Sequence, residues 1–356
     1  MKKLNIKDFI DGDLHLRQTN KLNKSSWILV GHKCEFKNIR DFKTVFVFDK
    51  PIIIYRFKEG LRAFTNVCSH RGSIIKDVQR GNGSFTCPYH SWSYDKDGLP
   101  KSIPLKDKCF KFSNKDLNIL KLENWKLEYC GEFIFIAYKD IKKTLKVYLN
   151  KENFNNLQKK SKLIKSHISS YRWKWNANWK ICVENSIDEY HAIFLHQTSF
   201  KKTLNLEPKY YDKGNVMYMK TGMQESYKKS AKNFQKIFKK KISSENYEHV
   251  LLFPYSALAD SMQQSFYIQN YIPLKTKETL ITSDIYLTEC KDDYQNLQNM
   301  YIESAKKFNN TVFNEDKIIC ENIQIGIAKR EIFEVIGNFE KRINTFRKKL
   351  SEIGKK

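Results

Sequence analysis

Glu184-Asn185-Ser186-Ile187-Asp188-Glu189-Tyr190-His191-Ala192-Ile193-Phe194-Leu195-His196 sets two imidazoles and several carboxylates within reach of one another in an otherwise apolar segment. On a helix advancing 100° per residue, Glu184, Asp188 and His191 fall at i, i+4 and i+7 and share a face. His196, five residues beyond His191, is rotated well off that face. Both rings therefore reach one ion only if the helix loosens through a π-type bulge or ends near Leu195. The plain alternative is a core helix with two hydrogen-bonded histidines. It must accommodate four polar groups, each costing a few kcal/mol if left without a partner. The stretch reads as half of an iron site.

A second constellation lies upstream. Cys68-Ser69-His70-Arg71-Gly72 is followed, after the sixteen residues from Arg71 to Thr86, by Cys87-Pro88-Tyr89-His90. This is the C-x-H and C-x-x-H pair of loops of a Rieske [2Fe–2S] cluster, in which two thiolates hold one iron and two neutral imidazoles the other. Gly72 and Pro88 suit tight loops whose backbone N–H groups turn toward sulfur. A structural Cys₂His₂ zinc site satisfies the same ligand count. The wider match of Asn66-Val67-Cys68-Ser69-His70-Arg71-Gly72 and Cys87-Pro88-Tyr89-His90-Ser91-Trp92 favours iron.

Composition narrows the class. The chain of 356 residues is 41% hydrophobic and 14% aromatic, long enough for two domains with cores. Met1-Lys2-Lys3-Leu4-Asn5-Ile6 has no apolar run behind it and no stretch reaches membrane-spanning length, so a cytoplasmic protein without a membrane partner is expected. Two of the eight cysteines stand at metal-ligand spacing, and the other six (Cys34, Cys109, Cys130, Cys182, Cys290, Cys320) are scattered singly, as in a reducing compartment. The net charge of +25 comes from 54 Lys and only 10 Arg, spread along the whole chain. Arg is the residue that phosphate and base-edge forks favour, so nucleic acid is not the expected partner. A basic surface does attract an acidic electron-transfer protein.

The sequence divides into four expected segments: a polar stretch 1–25 wrapping onto another part of the protein, a small antiparallel β domain over 26–138, a linker with some helix over 139–165, and a second domain over 166–356. Strands are expected at Trp27–Val30, Thr44–Phe48, Ile52–Phe57 and Leu61–Phe64, and later at Val250–Phe253, Gln264–Gln269 and Thr279–Leu287. The Lys-rich run 228–241 reads as a solvated helix, with a mobile lid or docking surface as alternatives. A long helix follows from about 292 to 325, with Tyr294, Leu297, Tyr301, Ala305, Phe308, Val312, Ile319 and Ile323 on one apolar stripe. Asp316 lies on that stripe, where a carboxylate must meet a cation or good donors. Glu315 points elsewhere.

With Asn178-Trp179-Lys180 ahead of the first stretch, these motifs together resemble the Rieske non-haem iron oxygenases, the large (alpha) subunits of ring-hydroxylating oxygenases. The resemblance implies an α+β protein, with an N-terminal antiparallel β Rieske [2Fe–2S] domain and a C-terminal helix-grip catalytic domain, a curved antiparallel sheet closed over by a long helix. It implies cluster ligands Cys68, His70, Cys87 and His90. It makes Glu315-Asp316-Lys317-Ile318-Ile319-Cys320-Glu321-Asn322-Ile323-Gln324 the segment of the third iron ligand, so that Asp316 joins His191 and His196 in a two-histidine, one-carboxylate triad for mononuclear Fe(II).

The resemblance also implies a reaction: electrons from NAD(P)H, delivered by a reductase or ferredoxin, activate O₂ as co-substrate and hydroxylate or oxidatively dealkylate a small aromatic or quaternary-ammonium compound. It implies a homotrimer, with or without a beta subunit, in which Asp188 bridges His90 of one chain and His191 of the next. A Rieske electron-transfer protein without oxygenase activity and a zinc-stabilised binding protein remain as alternatives.

Overall fold

The computed structural model describes residues 2–205, 207–239 and 244–355. They form two units, one of Asn23–Leu145 and one of Met1–Leu22 with Lys146–Lys356.

The first unit is built on an antiparallel sheet of seven strands: β1 (Ile28–His32), β2 (Asp41–Val47), β3 (Lys50–Phe57), β4 (Gly60–Thr65), β5 (Arg80–Asn82), β6 (Asn124–Cys130) and β7 (Phe133–Tyr138), in the order β1-β7-β6-β4-β3-β2-β5. Runs of β-branched and aromatic residues explain the strands. Ile52, Ile53 and Ile54 are consecutive and fully buried, so β3 is covered on both faces rather than alternating. One end of the sheet carries an aromatic core of Phe42, Tyr55, Phe64, Phe85, Trp92 and Tyr94, on which Cys68 and Cys87 are packed.

The second unit includes most of helix α1 (Gly12–Ser25) and, inside the stretch read as a linker, α2 (Lys151–Ser161). Its sheet has seven antiparallel strands: β8 (Ile164–Trp175), β9 (Lys209–Lys213), β10 (Val216–Gly222), β11 (Asn246–Leu252), β12 (Ser256–Ser261), β13 (Ser265–Lys275) and β14 (Glu278–Thr288). The order β8-β14-β13-β12-β11-β10-β9 is a meander of consecutive hairpins closed by β8. The turn between β13 and β14 is Thr276-Lys277, after the pair Lys275↔Glu278.

Among the other helices of this unit are α3 (Trp179–Ser186), α4 (Gln295–Gly326) and α5 (Lys341–Lys355). The 32 residues of α4 span about 48 Å at 1.5 Å each. It meets the sheet where Phe313 stacks on Trp173, 4.8 Å between ring centroids. An α+β chain with two antiparallel sheets and one long helix is the expected fold class, and it is found.

Three local expectations are corrected. Between α2 and α3 lies a twelve-residue strand, β8, that is missing from the expected strands because polar residues such as Ser166, Ser169 and Ser170 hide the pattern. The buried face of α4 runs Tyr301, Ala305, Asn309, Val312, Phe313, Asp316, Cys320 and Gln324, whereas Tyr294 and Ile323 are exposed. Tyr294 belongs to the 3₁₀ turn Asp292–Tyr294 that precedes α4, and towards the C-terminal end the buried side shifts round the helix to Cys320 and Gln324, leaving Ile323 outside it. In the Lys-rich run the helix stops at Asn233 and Ile237 and Phe238 are buried; Lys240 and Lys241 lie outside the described residues.

Candidate metal centre

Asn178-Trp179-Lys180 anchors the helix that leads into the site. Asn178 caps α3, its side-chain oxygen accepting from Lys180 N at 3.0 Å while its amide donates to the carbonyls of Thr276 (2.7 Å) and Phe9 (3.2 Å). Trp179 is fully buried, and the buried Lys180 ammonium donates to Gln18 Oε1 at 2.7 Å. The helix then ends at Ser186, well short of the Leu195 expected. Asp188 starts the next turn by accepting from Tyr190 N at 2.8 Å and His191 N at 3.3 Å, and His191–Ile193 form one 3₁₀ turn. This break lets both rings face the same point, which a continuous helix forbids.

There they meet Asp316 of α4. His191 Nε2 and His196 Nε2 are 3.2 Å apart, and Asp316 Oδ1 lies 3.5 Å from the first and 3.2 Å from the second. Three donors each about 2.1 Å from a common ion, with about 100–110° between them, have this spacing. Burial works against a charged His191, yet Asp188 and Asp316 outweigh it and raise the imidazole to about 10. Burial likewise opposes an ionised Asp316, and the two imidazoles hold it down at about 2. The three groups are arranged for a positive charge between them.

Each histidine is backed by a carboxylate on its outer nitrogen. Asp188 Oδ2 is 3.4 Å from His191 Nδ1, and Glu315 Oε2 is 2.7 Å from His196 Nδ1. The second contact corrects the reading that Glu315 points elsewhere. Successive residues on a helix diverge by 100°, but the long Glu side chain reaches round to a ring that Asp316 touches from the other side. Glu184 is corrected too: it leaves the site and receives both arms of the Arg347 guanidinium fork, at 2.7 and 2.6 Å. Its neighbour Glu189 pairs with Arg342, which is fully buried and also donates to His249 Nδ1 (3.0 Å) and His249 O (3.2 Å). Both arginines belong to α5, so the last helix clamps the segment 184–196 at two points. Arg342 and Arg347 stand five apart in a Lys-rich amphipathic helix, and their Arg identity was the only available signal.

In the first unit the two Cys-His loops are backbone twins. Cys68 O accepts from Gly72 N and Cys87 O from Ser91 N, four residues on, while Cys68 N donates to Ser73 O and Cys87 N to Trp92 O, five residues on. Gly72 (φ 73°) and Ser91 (φ 57°) take the left-handed conformation that closes each loop; Ser91, not Pro88, is the counterpart of Gly72. His70 stacks on Trp92 at 4.5 Å and meets His90 edge-on at 4.7 Å. Tyr94 Oη lies 3.0 Å from Cys68 Sγ.

Sequence profiles agree with both halves. A Rieske [2Fe–2S] domain matches residues 26–121, and a ring hydroxylating alpha subunit catalytic domain matches residues 164–355, more than half of the chain. The chain belongs to the Rieske oxygenase alpha subunits. Similar curated proteins include a biphenyl 2,3-dioxygenase subunit alpha from Rhodococcus jostii, 29% identical over 53% of this chain and 42% of that one. The chain thus spans less than half the length of that subunit. The carnitine monooxygenase oxygenase subunit of Acinetobacter pittii is 27% identical over 86% of this chain and 80% of its own length. Among solved structures, a quaternary ammonium Rieske monooxygenase superposes with a TM-score of 0.81 at 22% identity, over 99% of this chain and 95% of that one. Naphthalene 1,2-dioxygenase from Rhodococcus sp. gives 0.73 at 17%, over 94% and 86%. No helix among the described residues is long and apolar enough to cross a membrane.

The groups that a Rieske oxygenase carries fit the residues present. Asp316 Oδ1 is buried without a directed hydrogen bond, and His191, His196 and Asp316 supply the neutral nitrogen and carboxylate donors that suit a divalent iron. In the other unit His70 Nδ1 is buried with no partner, beside two cysteines at loop tips.

Proposed function

We propose that this chain is an oxygenase component that hydroxylates or oxidatively dealkylates a small organic substrate, aromatic or quaternary-ammonium. Cys68, His70, Cys87 and His90 would hold a [2Fe–2S] cluster, and His191, His196 and Asp316 a mononuclear Fe(II). When bound, these groups pass single electrons inward and activate O₂. The observation that carries the reading is the triangle of two imidazole nitrogens and one carboxylate oxygen at the wall of a cavity of about 70 Å³.

The chain's own residues divide the work. Asp188 and Glu315 orient the two rings from their outer nitrogens and keep the inner ones free to ligate. Phe200, Val312, Phe313 and Tyr271 line the cavity with apolar surface and exclude water beside the donor atoms. We assign Asp188 a second contact in a homotrimer, to His90 of a neighbouring copy, with a reductase or ferredoxin drawing its electrons from NAD(P)H. Tyr89 and His90 at one loop tip and Tyr190 beside Asp188 are exposed, as such a contact requires.

A single-turnover experiment tests this. The protein is loaded with iron(II), its cluster reduced without air, pooled aromatic and quaternary-ammonium compounds added and oxygen admitted, while cluster reoxidation and product mass are read together. Substrate-dependent reoxidation with an oxygenated or dealkylated product is the expected result. A cluster that reoxidises with no product, in protein lacking mononuclear iron, would make the chain an electron carrier.

A further inference from the structure

The metal-facing cavity does not end at its apolar wall. A second cavity of about 100 Å³ adjoins it, and Phe200, Leu204, Tyr247, Gln269, Val312 and Phe313 line both. Either volume exceeds by several-fold the ~15 Å³ that one water needs, and the two together are comparable to the ~150 Å³ of an apolar cavity that admits a benzene ring. No Asp, Glu, Lys, Arg or His lines the second cavity among the described residues.

Most of its polar wall is already paired. Tyr301 Oη donates to Ser265 Oγ at 3.3 Å, Ser265 Oγ to Tyr267 Oη at 3.3 Å, and Tyr227 bonds Ser261. Asn309 is different. Its side chain, 2% exposed, projects from α4, its Oδ1 accepting from Ser283 Oγ at 2.8 Å, while Nδ2 is buried with no partner in the protein. It is the one such atom in that wall among the described residues. Buried amides are normally hydrogen-bonded, so an NH₂ group left without a partner on a residue that lines a cavity marks the place of an acceptor. Asn309 stands seven residues, about 10.5 Å of helix axis, before Asp316 on the same buried face. A single ring with a short side group is long enough to lie between the triad and the amide.

We propose that Asn309 determines substrate specificity by donating its Nδ2 hydrogen bond to a carbonyl-type oxygen at the distal end of a neutral, largely apolar substrate. This deepens the oxygenase reading and rests on it for the word substrate. A carboxylate in this cavity meets no cation. A quaternary ammonium finds aromatic faces, but also finds the positive ends of the Asn309 N–H bonds and no carboxylate. A hydrocarbon leaves the amide without an acceptor.

Calorimetric titration of the iron-loaded, cluster-containing protein without oxygen tests the proposal with acetophenone against α-methylstyrene, which differ by C=O against C=CH₂. Phenyltrimethylammonium and benzoate serve as the cation and the anion. Acetophenone should bind about tenfold more tightly than α-methylstyrene, as expected for one buried hydrogen bond. Asn309→Leu should abolish that preference by weakening acetophenone alone. Equal affinity for the isosteric pair in the unaltered protein, or tighter binding of either ion than of acetophenone, overturns the proposal without reference to any variant. Oxygen uptake on the same samples separates the two readings: a ketone preference without turnover supports this binding role and counts against the oxygenase.

Discussion

Removing the Arg342 guanidinium should loosen the segment that carries His191 and His196 from behind. Arg342 is fully buried and Glu189 is 6% exposed, so the pair sits in a medium that screens neither charge. Burial pushes the Glu189 carboxyl up, with Arg342 opposing it, which marks a charge that depends on its partner. In Arg342→Met the shape is largely kept and the carboxylate is stranded; breaking a buried pair from one side costs about 3–5 kcal/mol. For a unit of this size that is roughly 10 °C in thermal midpoint. Because Glu189 lies two residues before His191, iron occupancy should fall with the midpoint. The decisive comparison is Arg342→Met with Glu189→Leu, in which no charge is stranded and stability should largely return. Thermal unfolding and iron content of the parent, both singles and the double measure this. A loss under about 1 kcal/mol in Arg342→Met, or a double variant as unstable as that single, would refute the reasoning and shift the role of Arg342 to its contacts with His249.

Glu315→Gln keeps a hydrogen-bond acceptor for His196 but removes the charge, and should weaken Co(II) or Fe(II) binding by about tenfold, the lower end for an outer carboxylate because Glu315 is partly open to solvent; unchanged metal affinity would make the contact incidental. Metal binding should release a proton near pH 7, since His191 is held protonated up to about 10 and ligates only when neutral. Co(II) affinity should therefore rise with pH between 6.5 and 8.5, and titration in weakly buffered indicator that detects no proton release would sink this. In metal-free protein the sign reverses: the His191 contacts stabilise fully below 6.5 and that contribution is lost as pH rises through about 10. Asp188→Asn should retain both metals yet lose product formation coupled to cluster oxidation, and full activity in that variant would remove the bridge assignment.

The family and the fold class were legible because the motifs that carry them are local in sequence. Cys68 with His70, Cys87 with His90, and His191 with His196 are near neighbours along the chain, so each pair is fixed by a loop of a few residues whose reach the spacing itself reveals. The geometry inside those loops was less legible. Ser91 takes a left-handed conformation that favours Gly, and the helix through Glu184 stops a full two turns before Leu195, because Asp188 caps the next turn with its side chain. A pattern of apolar spacing registers neither event.

The partners of the side chains in 184–196 were the hidden part. Glu315 lies 119 residues from His196, Arg342 lies 153 from Glu189, and Arg347 lies 163 from Glu184. Each pairing depends on where a helix settles against a segment distant in the chain, which periodicity within the helix leaves open. Burial supplies the constraint afterwards. Once Glu189 and His196 are sealed from water, each needs a partner of the right sign or hydrogen-bonding capacity, and only the elements packed against them can supply it. The same rule, applied to the cavity beyond the triad, singles out Asn309 as a buried donor whose partner the chain itself does not provide.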